Sequence, residues 1–460
     1  MNNHKLIKNS FLIVLKVFGI VLCIYQIRIM FINILSKLPL FIRARVVSIT
    51  SKYHLDQSSF SVIWILIITR TLIACSVKAV VIHHTLNSPG GESTVAIETI
   101  ESLYELGYDI DLITVQKPNL EYLAKIYGKT IHITKTRSLI PFKMNYFSLY
   151  QRVLMAIPRL GLRESDIIIN THGSVMPYMI PNNVPCITYL HFPISALNTS
   201  DSGHSSKKYQ KSLLWNAYFK PYAAIANRLT KKALFRSNII LANSKFTKNV
   251  LKKVYPQLDS HVLYPPVDIE RFSSAYRSNS RKRQVLVISR FSAEKQIEKA
   301  IIIAQLVQDV KFKVIGLLTP TNRPYFNLLQ KKIKNYGLEN RVSLTPNATN
   351  EEMINAMSES MLYLHTMYGE HFGISIVEAM AAGLIPIVPS YGGCSEIIPS
   401  GNQYSTIEEA AKCIYKNIDE YNEEKRTIVY DIVRQFSSSL FRKNIQQYIK
   451  KARSIQLMAT

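Results

Sequence analysis

Short apolar runs alternating with helical periods, twice over, are what most restrict the fold of this chain. From Lys78, KAVVIHH is a β-type run, SPGG a turn, and ESTVAIETIESLYELG a helix in which Val95, Ile97, Ile100 and Leu103 supply the apolar positions. Gly107 stops that helix and YDIDLITV begins the next run. DIIIN (166–170), CITYL (186–190) and NIILANS (238–244) continue the series. Runs of this kind separated by helices imply a parallel sheet covered on both faces. The series breaks at SSAYRSNSRKR (273–283), which is polar, basic and without apolar period, and then restarts. QVLVISR, KFKVIGLL, RVSL, MLYLHT and LIPIVPS are the later strands, with helical segments between them. At 460 residues the chain exceeds one ordinary core. The expected fold class is α/β, with two doubly wound Rossmann-like domains facing across a cleft. The expected boundaries are a first Rossmann-like domain over 77–272, a linker over 273–283, a second Rossmann-like domain over 284–440, and a tail or helix over 441–460.

The first 76 residues depart from this pattern. FLIVLKVFGIVLCIY (11–25) is apolar apart from Lys16, and FSVIWILIIT (60–69) is apolar up to Arg70. Neither reaches the ~18–20 uninterrupted apolar residues of a clear spanning helix. Between them KLPLFIRARVVSITSK holds Lys37, Arg43, Arg45 and Lys52 and no acid, and Lys5 and Lys8 precede the first run. That pattern suits the cytoplasmic face of a membrane, whether the runs cross it or lie in its interface. Residues 1–76 are expected to be a membrane-associating region. A cleaved leader fits less well, because a second apolar run and a basic loop follow without an AxA-like site.

Lys and Arg number 56 against 31 Asp and Glu, a formal charge of +25. Such an excess points to an anionic partner or to a generally basic surface. No basic tail, zinc finger or RNP pattern is present, so nucleic acid is not the expected partner. The five cysteines are scattered and form no CxxC, which reads as small buried hydrophobes in a reducing compartment.

In doubly wound sheets ligands sit beyond the carboxyl ends of the strands, which directs attention to four loops. SPGGES (88–93) joins a strand to a helix, and Gly90 and Gly91 allow backbone N–H groups to approach an anion at a helix N-terminus. It is neither GxGxxG nor a Walker A, and a purely structural Pro-Gly turn explains it equally well. SRFSAEK (289–295) places Arg290 and Lys295 across a tight loop, suited to a diphosphate or simply solvated. TYLHFP (188–193) puts His191 at a strand end, as a structural group or as one facing the cleft. In YGEHFGISIVEAMAAG (368–383) a helix is expected from Gly373 to Ala382, stopped by Gly383. Glu370 lies before it and Glu378 in its second turn, with the N–H groups of Phe372, Gly373 and Ile374 between them. Two carboxylates flanking an anion-binding turn suit a ligand with sugar, phosphate and sugar in sequence. A hydrolase pair is disfavoured because both acids come from one segment beside basic loops. Metal binding is disfavoured because no DxD or further acid cluster accompanies them.

EHFGISIVEAMAAG resembles the E-x7-E signature of the retaining glycosyltransferases of family 4, which adopt the GT-B fold. SRFSAEK is similar to the Arg-x4-Lys loop of that family and SPGGES to its N-terminal glycine loop, and ANSKFTKNVL (242–251) and YPPVDIERF (264–272) fit as well. The resemblance covers roughly residues 78 to 440 and implies that 77–272 is the acceptor domain and 284–440 the nucleotide-sugar donor domain. Within the family, LHTMYGEHFGISIVEAMAAG, YLHFPIS and LYPPVD look most like the membrane-bound α1,2-mannosyltransferases of lipid-linked oligosaccharide assembly, which use GDP-mannose.

The resemblance implies roles. Glu378 would bind the nucleotide ribose, and Glu370 the transferred sugar with the backbone of Phe372, Gly373 and Ile374. Arg290 and Lys295 would neutralise the departing diphosphate, with no metal and no cofactor beyond the nucleotide sugar. Gly90 and Gly91 would admit donor phosphate and acceptor, and His191 would contact the donor sugar. The partners implied are a nucleotide sugar, a lipid-linked glycan acceptor and a membrane, with the catalytic domains on its cytoplasmic face. Alternatives are a UDP-sugar donor, a soluble acceptor, a nucleotide-sugar 2-epimerase on the same fold, or a non-enzymatic basic membrane-binding or nucleic-acid-binding protein.

Overall fold

The computed structural model describes residues 77–459 apart from 88–89, 142–147, 157–161, 163–164, 174–179, 194 and 197–212. The expected membrane-associating region 1–76 lies outside the described residues, and among those described no helix is long and apolar enough to cross a membrane. The first sheet holds β1 (Val77–Ile82), β2 (Tyr108–Gln116), β3 (Lys135–Ile140), β4 (Ile167–Asn170), β5 (Cys186–Leu190), β6 (Ile239–Ala242) and β7 (His261–Val262). Their order is β3-β2-β1-β4-β5-β6-β7. The second holds β8 (Lys282–Ile288), β9 (Lys311–Gly316), β10 (Val342–Pro346), β11 (Ser360–Leu364), β12 (Ile385–Pro389) and β13 (Gln403–Tyr404) in the order β10-β9-β8-β11-β12-β13. Every ladder is parallel.

Both sheets reverse their winding once. In the first, β1 pairs with β2 on one side and with β4 on the other; in the second, β8 pairs with β9 and with β11. Connections leave in opposite directions at such a point and open a crevice beyond the strand ends. These two crevices, β1/β4 and β8/β11, are the positions at which sheets of this kind bind ligands.

Local chemistry explains the elements. β4 and β6 are buried at every position, as strands covered on both faces require. The helices Asn350–Glu359 and Ile407–Asp419 begin with capping boxes, Thr349 with Glu352 and Thr406 with Glu409. Helix Gly91–Glu105 buries Val95, Ala96, Ile97, Ile100 and Leu103. The last helix, Ser438–Ala459, returns to the first sheet, where Phe441, Ile445, Ile449 and Ala452 join a core with Ala79, Val81 and Ile167. Each such Ile or Phe contributes about 1.5–3 kcal/mol by burial. Glu98 fastens this helix, pairing with Arg442 at 2.6 Å and with Lys129 at 2.6 Å.

The stretch 273–283, expected as a linker, is ordered structure. It holds a helical turn at Ser273–Tyr276 and the start of β8 at Lys282. Its basic character misleads because Arg281 is spent on the backbone. The guanidinium donates to the carbonyls of Ala275 and Ala382, each at 2.6 Å, and to those of Met357 and Ser360 at 2.5 and 2.8 Å.

Candidate active site

The β8/β11 crevice gathers the residues with the most pronounced chemistry. After β8 the chain makes a turn of 3-10 helix at Ala293–Lys295, and Gln296 takes a left-handed φ of 53°. That turn carries Lys295 over the end of β11, where its Nζ donates to Glu370 Oε2 at 2.7 Å and approaches Met367 Sδ at 3.3 Å. His365, buried just after β11, brings Nε2 to 3.2 Å from the same carboxylate oxygen. Burial alone would raise the Glu370 carboxyl, but Lys295 and His365 together hold it well below the usual range. Glu370 is thus a fixed anion with a cation beside it. Arg290 behaves differently: it is exposed and pairs with Glu294 at 2.7 Å. The structure brings Lys295 to Glu370 and leaves Arg290 at the rim, so the expected convergence of the two cations is not seen here.

Glu370 is held by its neighbours across the loop. It forms a β-bridge with Gly392, and Gly393 N–H donates to Glu370 O at 2.7 Å. The helix that follows spans Ile374–Ala381, one residue shorter at each end than expected, because Gly373 is a cap with φ of 94°. Its first N–H groups have no intrahelical acceptor and face outward. Phe372 is buried and packs against Tyr264 and Phe436 with ring centroids 5.6 and 5.4 Å apart, which anchors the turn. Glu378 lies in the second turn with no side-chain hydrogen bond among the described residues. Burial pushes its carboxyl above the usual range, against the opposing pull of Arg271. The two acids of the motif are therefore held in opposite electrostatic conditions.

The first sheet meets this segment directly. A methyl on Gly91 would lie 2.5 Å from Ile374 Cδ1, so the glycine loop presses against the helix start of the other domain, while Gly90 has open space around it. Beyond β5, His191 Nε2 bonds to the Thr171 carbonyl at 2.9 Å. A carbonyl only accepts, so Nε2 carries a hydrogen. Side-chain contacts also tie the domains together here. His371 stacks on Phe192 at 3.9 Å, and Ser244 Oγ donates to the His371 carbonyl at 2.6 Å. Glu396 accepts from the backbone N–H of Lys245 at 2.8 Å and of Phe246, at the start of helix Lys245–Val254.

Four functional candidates escaped sequence reasoning: Glu92, His84, His172 and His365. His84 stood in the quoted run KAVVIHH, and the position after an apolar run is a usable signal. Glu92 stood in the quoted loop SPGGES and His365 in MLYLHT, while His172 carries no signal until the sheet is assembled. Among the described residues, no group of three or more His, Cys, Asp or Glu is placed to hold a metal ion.

Burial holds His83 at about 4, His84 at about 3 and His371 at about 4, so these imidazoles are neutral in the fold. In the unfolded chain they protonate near 6.5. Their contribution is complete above that value and is lost as pH falls toward the folded-state values, because the unfolded chain then binds more protons. Each group removes up to about 1.4 kcal/mol per pH unit. Glu378 and Glu396, both raised by burial, act in the opposite sense at lower pH. The melting temperature is expected to be level from pH 8 to 7 and to fall steadily from 6.5 to 4.5. A melting temperature unchanged down to pH 5 would show that these histidines are charged in the folded state.

Comparison with known proteins places these loops in context. Residues 89–271 match the model of Glycosyltransferase Family 4, and residues 268–431 match that of Glycosyl transferases group 1. The GDP-Man:Man(3)GlcNAc(2)-PP-Dol alpha-1,2-mannosyltransferase of Dictyostelium discoideum is 27% identical over 302 residues, covering 57% of this chain and 58% of that protein. The enzyme of the same name from Mus musculus is 31% identical over 174 residues, 34% of this chain and 35% of the relative. The aligned region thus spans under two thirds of these curated relatives. HepE of Anabaena, solved in complex with UDP and glucose, shares the fold with a TM-score of 0.58 at 18% identity, covering 82% of this chain and all of HepE.

Proposed function

We propose, for a chain built of a Glycosyltransferase Family 4 domain followed by a Glycosyl transferases group 1 domain, that it is a retaining glycosyltransferase moving mannose from GDP-mannose to a lipid-linked oligosaccharide. The observation that carries the reading is the Lys295–Glu370–His365 cluster at the β8/β11 crevice, with Gly91 of the opposite sheet against Ile374. The names of the relatives support the choice of GDP-mannose and of a dolichyl-linked acceptor.

In this reading the donor lies along the helix Ile374–Ala381. Glu378 accepts hydrogen bonds from the ribose hydroxyls, which gives its half-buried carboxylate hydrogen-bond partners. The diphosphate meets the free N–H groups at the helix start, with Lys295 beside it and Arg290 swinging from Glu294 to join. Glu370 and the backbone of Phe372, Gly373 and Ile374 hold the mannose, and His191 bonds it from the other sheet. The bond between the sugar's anomeric carbon and the phosphate oxygen breaks, and the electron pair leaves with GDP. The acceptor hydroxyl attacks from the same face and its proton passes to the departing phosphate oxygen. Lys295, already held beside Glu370, stabilises that leaving charge without reorganisation, and Arg290 adds to it once it has swung in, together filling the role a divalent ion has in other transferases. The apolar, basic residues 1–76 would hold the chain on a membrane with the catalytic domains on the cytoplasmic face.

The test uses detergent-solubilised full-length protein with labelled GDP-mannose, UDP-glucose or UDP-N-acetylglucosamine, and Man(3)GlcNAc(2)-PP-Dol as acceptor. Label is expected in the lipid phase from GDP-mannose alone. Glu378→Gln is expected to weaken donor binding by about 10–100-fold, the worth of a hydrogen bond to a charged group. The same variant should melt no lower than the parent, since it replaces a half-buried carboxyl whose charged form the surroundings disfavour, with a gain of about 0.5–2 kcal/mol. Transfer from a UDP-sugar would replace the donor and keep the transferase. Epimerisation or binding without transfer would remove the lipid acceptor from the reading.

A further inference from the structure

The short segment that holds Glu370 in place also reaches the first domain. It runs from Tyr391 through a turn of 3-10 helix at Gly393–Glu396. At its near end Gly392 bridges to Glu370, and the Gly393 N–H donates to the Glu370 carbonyl at 2.7 Å. At its far end the Glu396 carboxylate spans the start of helix Lys245–Val254. Oε2 accepts from the Lys245 N–H at 2.8 Å and Oε1 from that of Phe246. Tyr264, which packs on Phe372, donates its hydroxyl to Oε2 at 3.3 Å. Between the two ends the Tyr391 ring meets Phe246 edge-on at 5.2 Å.

The N–H groups in the first turn of a helix have no acceptor within it and must find one elsewhere. Here that task is divided between the domains. Ser244 Oγ, at the N-cap, accepts from Thr247 at 3.0 Å, and the two N–H groups before Thr247 are left to Glu396. A carboxylate at this end also meets the positive end of the helix dipole. Burial works against the charge of Glu396, and these N–H groups favour it. The cap comes from 150 and 151 positions away, so its bonds exist only while the domains are together. Water serves both sides when they part, which makes the contact reversible.

On the transferase reading above, we infer that Glu396 is a positioning residue that couples the donor's sugar to closure of the two domains. A sugar bound at Glu370 fixes the segment from Tyr391 to Glu396, and that segment then holds Glu396 on the helix start. Such a coupling is reciprocal: the Glu396 contact strengthens the grip on the sugar by the factor the sugar strengthens the contact. A nucleotide without its sugar does not engage Glu370 and leaves the contact unchanged. Closure of this kind keeps water from the reacting carbon until the donor is complete.

The experiment follows hydrogen–deuterium exchange of residues 244–250 in the full-length, detergent-solubilised protein, alone, with GDP and with GDP-mannose. Kd for both nucleotides, transfer to Man(3)GlcNAc(2)-PP-Dol and the melting temperature are measured alongside. GDP-mannose should slow exchange in that segment and GDP should not. Glu396→Ala should exchange at one fast rate in all three states. It should bind GDP-mannose and transfer mannose about tenfold less well, the worth of a hydrogen bond to a charged group, with GDP binding within about twofold of the parent. Adding Lys245→Glu, at an exposed position, puts an anion on the helix start from within the first domain. This double variant should regain the melting temperature without regaining transfer or GDP-mannose affinity. Recovery of all three would show that Glu396 is only a helix cap and would overturn the inference. Equal weakening of GDP and GDP-mannose in Glu396→Ala would overturn it too, since the sugar would then carry no coupling. Slowed exchange with GDP-mannose in a parent that transfers no sugar would leave the coupling standing and overturn the transferase reading instead.

Discussion

Lys295→Ala is expected to slow sugar transfer by about 10²–10³-fold, the loss found when one fixed charge-stabilising group is taken from a transition state. It should also destabilise the fold by up to about 3 kcal/mol. Glu370 is largely buried and keeps its low proton affinity because Lys295 lies 2.7 Å away and His365 3.2 Å away. Removing the cation leaves a buried carboxylate with only an imidazole beside it, and breaking such a pair costs far more than a surface pair does. The sign of the pH response follows. A depressed carboxyl contributes stability above its unfolded value and loses it as pH falls through the folded one. In Lys295→Ala that contribution should shrink, so the variant should lose less stability than the parent between pH 5 and 3. Thermal melts across that range and a single-turnover transfer assay check both halves. Parent-like transfer by the variant would mean that Lys295 is only a structural partner of Glu370.

Gly393→Ala should be nearly as damaging, for a steric reason. A methyl at this position would lie 2.0 Å from the His371 carbonyl oxygen and 2.6 Å from its carbon, both backbone atoms. Neither can rotate away. The loop bearing Glu370 must move, and with it go the Gly393 N–H bond to Glu370 O, the bridge to Gly392, and the Phe192–His371 stack between the domains. Overpacking of this kind costs about 1–3 kcal/mol, and a displacement near 1 Å at a positioning loop costs about 10²-fold in rate. Gly401→Ala is the control, because a methyl there meets nothing within 4 Å. Circular dichroism melts and transfer rates of the pair should separate widely. Similar values for both would show that the Glu370 loop tolerates displacement.

Much of this was readable before folding. The alternation of apolar runs and helical periods marked ten of the thirteen described strands, because period and burial on two faces are local properties; β3, which is only partly buried, and the two-residue β7 and β13 carry no such signal. The motif around Glu370 and Glu378, and the turn bearing Lys295, were legible as loops at strand ends. The linker was misread because Arg281 looks like solvated charge in a polar stretch, whereas its donors serve four carbonyls. Arg290, directly after the apolar strand, reads from the sequence as the better engaged of the two cations, and the structure reverses that order. The 3-10 turn at Ala293–Lys295 sends Lys295 inward to Glu370, while Arg290 stays outside with Glu294.

What the sequence by itself determined is the class of fold and the loops from which chemistry could come, since both follow from neighbours along the chain. Tertiary structure alone decided which loops meet. His83 contacts Thr171 across 88 positions, and Gly91 reaches Ile374 only because two separate sheets close on each other. It also decided protonation. Two glutamates of one motif end with opposite shifts, Glu370 lowered by a cation and Glu378 raised by burial, and the sense of each depends on what the fold packs around it.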